Sequence, residues 1–418
     1  LAKTVRDSAR KGALRLLSGV QEGQSLSDQA ASLKSMSPAD QARAARLAAE
    51  VLRHRDRANR VIATYVSRKP APQIADILRL ATVEMLELHA AAHGVVDTAV
   101  GMTRGLGRRG QAAAGMVNAV LRKISRHEGW AELPPQRMPD WLRRSVVRSF
   151  GKAAASAIET AHQRGAPLDL TLKPDMAVIE GGTLLPTGSV RITGSVQVSA
   201  LPGYAEGDWW VQDAAAALPV RLLDPVTGER VADICAAPGG KTLQLAAGGA
   251  QVTAVDISAA RLKRVAENLT RCGLQAELIT ADALEWQPDT PPDAILLDAP
   301  CSATGTIRRH PDLPILRDGS GIAELAALQS RLLDHALELL RPGGRLVYAV
   351  CSLLPDEGEA QIPALLERHP GLKIEAPDLP GIDPAWITPE GGLRLRPDHW
   401  PERGGVDGFY MARIRKPL

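Results

Sequence analysis

Residues 230–242 read Arg-Val-Ala-Asp-Ile-Cys-Ala-Ala-Pro-Gly-Gly-Lys-Thr. A short apolar run is followed by a turn of small residues and then by helix-forming sequence. A turn of this kind lets the backbone approach a ligand at a helix N-terminus. Two familiar phosphate-binding readings fail here. A P-loop requires glycine five positions before Gly240, where Cys235 stands, and G-x-G-x-x-G cannot be laid over the segment. Further Val-, Ile- and Leu-rich runs follow at 251–256, 276–280, 294–297 and 345–350, separated by helical stretches such as 259–272 and 322–340. That alternation predicts βαβ units and a doubly wound parallel sheet, with ligands at the carboxyl ends of its strands.

Acids sit at those ends. Asp233 closes the first run, Asp256 the second, Asp282 follows the third and Asp298 closes the fourth. Each alone reads as a capping residue; the ordered set suits a cationic nucleoside, of which S-adenosylmethionine is one. Asp256, 23 residues beyond Asp233, is placed for a ribose diol.

Upstream of the sheet the character changes. Residues 1–164 hold 27 Lys+Arg against 14 Asp+Glu, or +13, which leaves −10 of the total +3 for residues 165–418. The basic part is predicted to meet a polyanion. It reads as helices. Ser37-Pro38-Ala39-Asp40 looks like an N-cap with proline at N1, opening a run to Arg60. Ile74, Ile77, Leu78, Ala81, Met85 and Leu88 form one apolar stripe, and Val117, Val120, Leu121 and Ile124 another, with Arg122, Lys123 and Arg126 on the opposite face. Three prolines in 132–139 suggest a linker. Alternating Leu168, Leu170 and Leu172, with glycine-marked turns, then suggest strands. The expected domains are 1–130, helical and RNA-binding; 131–212, linker and small α+β subdomain; and 213–418, catalytic.

The chain has 418 residues, 45% hydrophobic and 23% charged, which excludes a disordered or collagen-like protein. No stretch approaches a bilayer span, and the start, with Lys3, Arg6, Arg10 and Lys11, lacks an apolar leader core. A cytoplasmic protein without membrane partners is expected. Its four cysteines, 235, 272, 301 and 351, contain no CxxC pair, so no metal site is expected.

The segments Cys235 to Lys241, Asp298-Ala299-Pro300-Cys301-Ser302 and Cys351-Ser352 resemble the signature motifs of S-adenosylmethionine-dependent RNA (cytosine-5) methyltransferases. The run DAPCSATGTIRRHPD at 298–312 and the basic domain ending in Val117-Asn118-Ala119-Val120-Leu121-Arg122 resemble one branch. That branch is the bacterial ribosomal RNA small subunit methyltransferase B family, whose N-terminal domain is similar to the antitermination factor NusB. The resemblance implies a multidomain chain with a Rossmann-like methyltransferase domain, a NusB-like all-α domain and a small connecting subdomain. It implies that Cys235, Ala236, Ala237, Pro238, Gly239, Gly240 and Lys241 surround the methionine moiety, that Asp256 holds the ribose, that Asp282 binds the adenine amino group and that Asp298 lies near the methyl group. It also implies 16S ribosomal RNA as substrate; a monomer is expected.

Carbon 5 of cytosine is too weak a nucleophile to be methylated unaided, and addition of a thiolate at carbon 6 activates it. Cys301 and Cys351 each follow a predicted strand and compete for that role. In the family this chain resembles the later cysteine attacks and the Pro-Cys one assists release, which makes Cys351 the expected nucleophile. Asp298 is placed to engage ring N3. Lys241 could orient its loop, contact Asp298 or cap a surface. Arg308, Arg309 and His310 are expected to hold an RNA phosphate. With aromatics at 3%, RNA should be held mainly through phosphates and shape. The rivals are a tRNA cytosine-5 methyltransferase, which shares the motifs, an antitermination-like RNA binder with a vestigial catalytic domain, which would need neither thiol, and a protein or small-molecule methyltransferase, which has no use for paired thiols.

Overall fold

The computed structural model describes residues 2–194 and 196–418. Leu1 and the side chains of Lys3 and Arg6, part of the basic start, lie outside that set. The chain divides into two compact units. One comprises the sequence through Arg144 with 155–165 and 307–318; the other comprises 145–154, 166–306 and 319–418.

The first unit is helical. Ser37 caps Pro38–Arg53, its hydroxyl accepting from the Asp40 N–H at 3.2 Å. The run expected to reach Arg60 instead breaks at His54 (φ −111, ψ 17), and a second helix, Arg55–Tyr65, begins. Tertiary packing explains the break: His54 is buried 6.0 Å from the Trp130 ring, and the Arg57 guanidinium lies 4.5 Å over that ring. The two stripes read from the sequence lie on Pro72–Leu86 and Arg108–Ile124, apart from Leu88 just past the first helix, and face one core. A buried ion pair crosses it, with Arg10 Nε 2.7 Å and Nη2 2.9 Å from the two oxygens of Glu84.

The second unit carries two sheets. In the smaller, β1 (Leu168–Leu172), β2 (Gly182–Leu184), β3 (Val190–Ile192) and β4 (Trp209–Val211) run antiparallel in the order β2-β3-β1-β4. Asp169 and Arg191 are directly opposed on β1 and β3 and form a buried bidentate pair at 2.6 and 2.7 Å. Arg191 also donates to the carbonyls of Arg403 and Gly405, each at 2.7 Å, which fixes the turn before the last strand.

The larger sheet contains β5 (Arg230–Ile234), β6 (Gln251–Asp256), β7 (Glu277–Thr280), β8 (Ala294–Asp298), β9 (Arg345–Val350), β10 (Lys373–Glu375), β11 (Leu393–Leu395) and β12 (Phe409–Arg415). The order is β10-β12-β9-β8-β5-β6-β7, with β11 also paired to β12. Strands β5 to β9 are parallel; β12 inserts antiparallel between β9 and β10. Because β5 lies between β6 and β8, the winding reverses there, and the carboxyl ends of β5 and β8 open the crevice where such sheets bind ligands. No helix among the described residues is long and apolar enough to cross a membrane.

Candidate active site

Each strand end delivers one part of the site. After β5 the chain turns through Cys235 (φ +63) and Gly239 (φ +101) into the helix Gly240–Ala247. Glycine is required at 239 on two counts, the left-handed backbone and a Cβ that would fall 2.8 Å from Val265 Cγ1. Asp256, at the end of β6, is buried and shapes this turn: its oxygens accept from the N–H groups of Ala237 at 3.1 Å and Ser258 at 2.9 Å. Asp282, after β7, is exposed, and its Oδ1 accepts from the Leu284 N–H at 2.9 Å.

Asp298 ends β8 and stays partly open to solvent. Lys241 Nζ lies 2.6 Å from its Oδ2, which decides among the three readings of that lysine. Burial pulls the Lys241 amine down, but the Asp298 carboxylate outweighs it and holds the amine above its ordinary value, with Asp233 and Cys351 adding to the effect. Asp233 is fully buried and accepts from the Thr242 hydroxyl at 2.6 Å; burial pushes its carboxyl up to about 7. Burial, then the charges of Asp298, Asp256 and Asp233, push the Cys235 thiol up to about 12, so three of the four acids act on one place. A field of that sign suits a cation.

Cys301, in the loop after β8, and Cys351, directly after β9, face one another with their sulfurs 3.5 Å apart. Both are half-buried. The Cys301 thiol is pushed well above its ordinary range by its hydrogen bond with Cys351 and by burial. The loops meet tightly: the Gly305 N–H donates to the Cys351 carbonyl at 2.9 Å, and the Gly408 N–H donates to the Gly305 carbonyl at 2.8 Å. Cys272, by contrast, is buried in an apolar cluster with Val265 and Leu269.

This arrangement has close relatives. Residues 220–415 match the family model described as 16S rRNA methyltransferase RsmB/F, and residues 7–126 match the NusB family. Ribosomal RNA small subunit methyltransferase B of Erwinia tasmaniensis is 37% identical over 431 residues, covering 95% of this chain and 96% of that protein. The chain belongs to the RsmB/F methyltransferase family. The protein of the same name from Pseudomonas syringae pv. tomato is 40% identical over 82% of each chain. A solved methyltransferase homologue from Pyrococcus horikoshii, 29% identical, superposes on 65% of this chain and 93% of that one with a TM-score of 0.56.

Within this RsmB/F-family chain one expected RNA-binding residue is corrected. Arg308 is fully buried, and its carbonyl accepts from Arg53 Nη2 at 2.9 Å. The segment 307–318 reads as a charged loop, yet Ile307 is buried and Ile315 and Leu316 pack against the helical core, which draws Arg308 inside. Arg309 is half-buried and His310 exposed. Sequence reasoning also misses Glu357. This fully buried carboxylate accepts from the Ser302 N–H at 2.8 Å and from the Ser302 and Ser352 hydroxyls. Its nearness in sequence to Cys351 is the available signal, but an acid among Pro355, Asp356 and Gly358 reads as surface.

Proposed function

We propose that this chain methylates carbon 5 of a cytosine in 16S ribosomal RNA, with S-adenosylmethionine as donor and a transient bond between Cys351 and the base. The observation that carries the reading is the pair of facing sulfurs at the carboxyl ends of β8 and β9. The acids of β5, β6 and β8 and the small-residue turn at Cys235 to Lys241 fit a cationic nucleoside, whose ribose is assigned to Asp256 and whose adenine to Asp282. S-adenosylmethionine, when bound, supplies an electrophilic methyl group.

The chain's own residues prepare the base. The Cys351 thiolate adds to carbon 6, and the displaced electron pair makes carbon 5 nucleophilic. Asp298, anchored by Lys241, is assigned to ring N3, where its carboxylate accepts from the N3–H of the protonated base, the form that favours addition. In the release step a base takes the proton from carbon 5, the C–H electron pair restores the C5=C6 double bond, and the C6–S bond breaks so that Cys351 departs as a thiolate. Cys301, which keeps its proton at neutral pH, is assigned the hydrogen bond to that departing sulfur, and the 3.5 Å between the two sulfurs supports the assignment.

RNA affinity is assigned to the basic helical unit. There a cleft of about 650 Å³ is rimmed by Arg55, Arg68, Lys69, Arg79 and Arg137 over an apolar floor that includes Ile62 and Ile315. Four unpaired thiols and an RNA substrate support a cytoplasmic setting.

The deciding experiment incubates ribosomal RNA and transfer RNA with the full chain and labelled S-adenosylmethionine, followed by mass spectrometry of the nucleosides. Labelled 5-methylcytidine in 16S RNA is expected; label confined to transfer RNA would reassign the substrate. Cys351→Ala should abolish both turnover and the covalent RNA adduct, and Cys301→Ala should accumulate adduct. Full turnover after both thiols become serine would end the covalent reading.

A further inference from the structure

Glu357 closes a short turn after β9 and is fully buried. Four donors converge on its carboxylate. Oε1 accepts from the Ser302 N–H at 2.8 Å and from Gln329 Nε2 at 3.1 Å, and Oε2 accepts from the hydroxyls of Ser302 and Ser352. A buried charge met this completely is an anchor, because losing any donor leaves it poorly solvated. The donors are not scattered. Ser302 directly follows Cys301, and Ser352 directly follows Cys351. Gln329 adds a second hold on the first loop, since its Nε2 also donates to the carbonyl of Pro300 at 2.8 Å.

Smaller groups add to the junction of the two loops. Thr304 Oγ1 accepts from the Leu353 N–H at 3.0 Å, and Arg394 Nη1 donates to the Ser352 carbonyl. Among the described residues, Glu357 is the one side chain whose carboxylate grips the residue after each thiol. We propose that Glu357 is a positioning residue for the methyl transfer: it ties the Cys301 loop to the Cys351 loop and so sets the spacing of the two sulfurs.

Its charge does a second thing. After the hydrogen bond with Cys351, burial and the charge of Cys351 itself, Glu357 is a further cause that pushes the Cys301 thiol up. The carboxylate thus helps keep the proton on Cys301. The assignment rests on the two-thiol reading above, and the alkylation arm of its test requires neither RNA nor cofactor.

The test alkylates the 418-residue chain with iodoacetamide at several pH values between 7 and 10 and reads the rates at Cys301 and Cys351 separately by peptide mass spectrometry, alongside kcat, KM and the unfolding midpoint. In Glu357→Gln the rate of Cys301 alkylation at a given pH should rise as the charge disappears. Turnover should fall at least about tenfold with KM for RNA little changed, as expected when geometry rather than binding is lost. Glu357→Asp keeps the charge but not the reach, so it should retain the Cys301 alkylation profile and still lose turnover. If Glu357→Gln does not fold, Ser352→Ala removes one donor and should lower kcat about threefold with the Cys301 profile displaced. An unchanged Cys301 profile together with unchanged kcat, in whichever of these variants folds, overturns the proposal. Turnover by Cys351→Ala would instead overturn the covalent reading and leave the alkylation result standing.

Discussion

Lys241 Nζ and Asp298 Oδ2 stand 2.6 Å apart, joining the turn after β5 to the end of β8 across the point where the sheet reverses. The lysine side chain is 10% exposed and the aspartate 25%. Removing one partner of a pair at this depth strands the other. Lys241→Met should cost about 2–3 kcal/mol of stability by denaturant unfolding, toward the lower end for buried pairs because Asp298 keeps some solvent. Turnover should drop at least about tenfold as Asp298 loses its anchor. In a double-mutant cycle with Asp298→Asn the losses should be strongly non-additive; simple additivity would make the pair a bystander.

Asp233 gives a pH dependence of definite sign. Its carboxyl is pushed from an ordinary 3.8 up to about 7, chiefly by burial. Between those values the folded chain holds a proton that the unfolded chain has released. Its contribution to stability is therefore complete below pH 3.8, declines as pH rises toward 7 and stays lost above. The slope from this group is at most about 1.4 kcal/mol per pH unit. Asp233→Asn keeps an acceptor for the Thr242 hydroxyl and cannot titrate, so it should flatten the profile and unfold no earlier than wild type at about pH 8. Parallel profiles for the two proteins would refute the assignment.

Gly305 admits no side chain, because a Cβ there would lie 1.9 Å from the Gly408 carbonyl oxygen, a backbone atom that cannot swing aside. Gly305→Ala should destabilise by about 1–3 kcal/mol, the range for overpacking. It should also separate the sulfurs. Loss of activity at a temperature well below unfolding, read beside the melting curve, distinguishes displacement of the thiols from simple unfolding.

The helical unit offers two basic surfaces for the RNA proposed to bind it. Arg68 and Lys69 are exposed on the rim of the cleft, while Arg122, Lys123 and Arg126, all exposed, do not line it. Arg68→Ala with Lys69→Ala should flatten the log-log salt dependence of RNA affinity by about 1.4, or about 0.7 for each phosphate no longer neutralised, without changing cofactor affinity. A flattened slope in the triple alanine variant of 122, 123 and 126, with the cleft variant unaffected, would move the RNA to that other face.

Local signals carry far into the fold. The helix Ala259–Cys272 is legible residue by residue because Ser258 caps its start and Gly273 (φ +60) ends it. Strands β5, β6, β8 and β9 are legible because both their faces are covered, so they appear as continuous apolar runs. The same logic sets the two sulfurs on neighbouring strand ends. Non-local packing is hidden: the break at His54 depends on Trp130, the burial of Arg308 on a core assembled from distant helices, and the role of Glu357 on Ser302, 55 residues away. A charge in a polar loop carries no mark of the cavity that will close over it.

The assignment of 307–318 to the helical unit bears on how the chain can be dissected. A fragment starting at 213 would hold every residue of the proposed chemistry but would leave Ile315 and Leu316 without the core they pack on, and Asp312 without the Leu26 N–H that donates to it at 2.9 Å. Such a fragment is a poor test of whether the helical half is needed for turnover, since sticky, half-folded material would mimic a true requirement. Shortening 307–318 in the same step is the cleaner route to an isolated catalytic half.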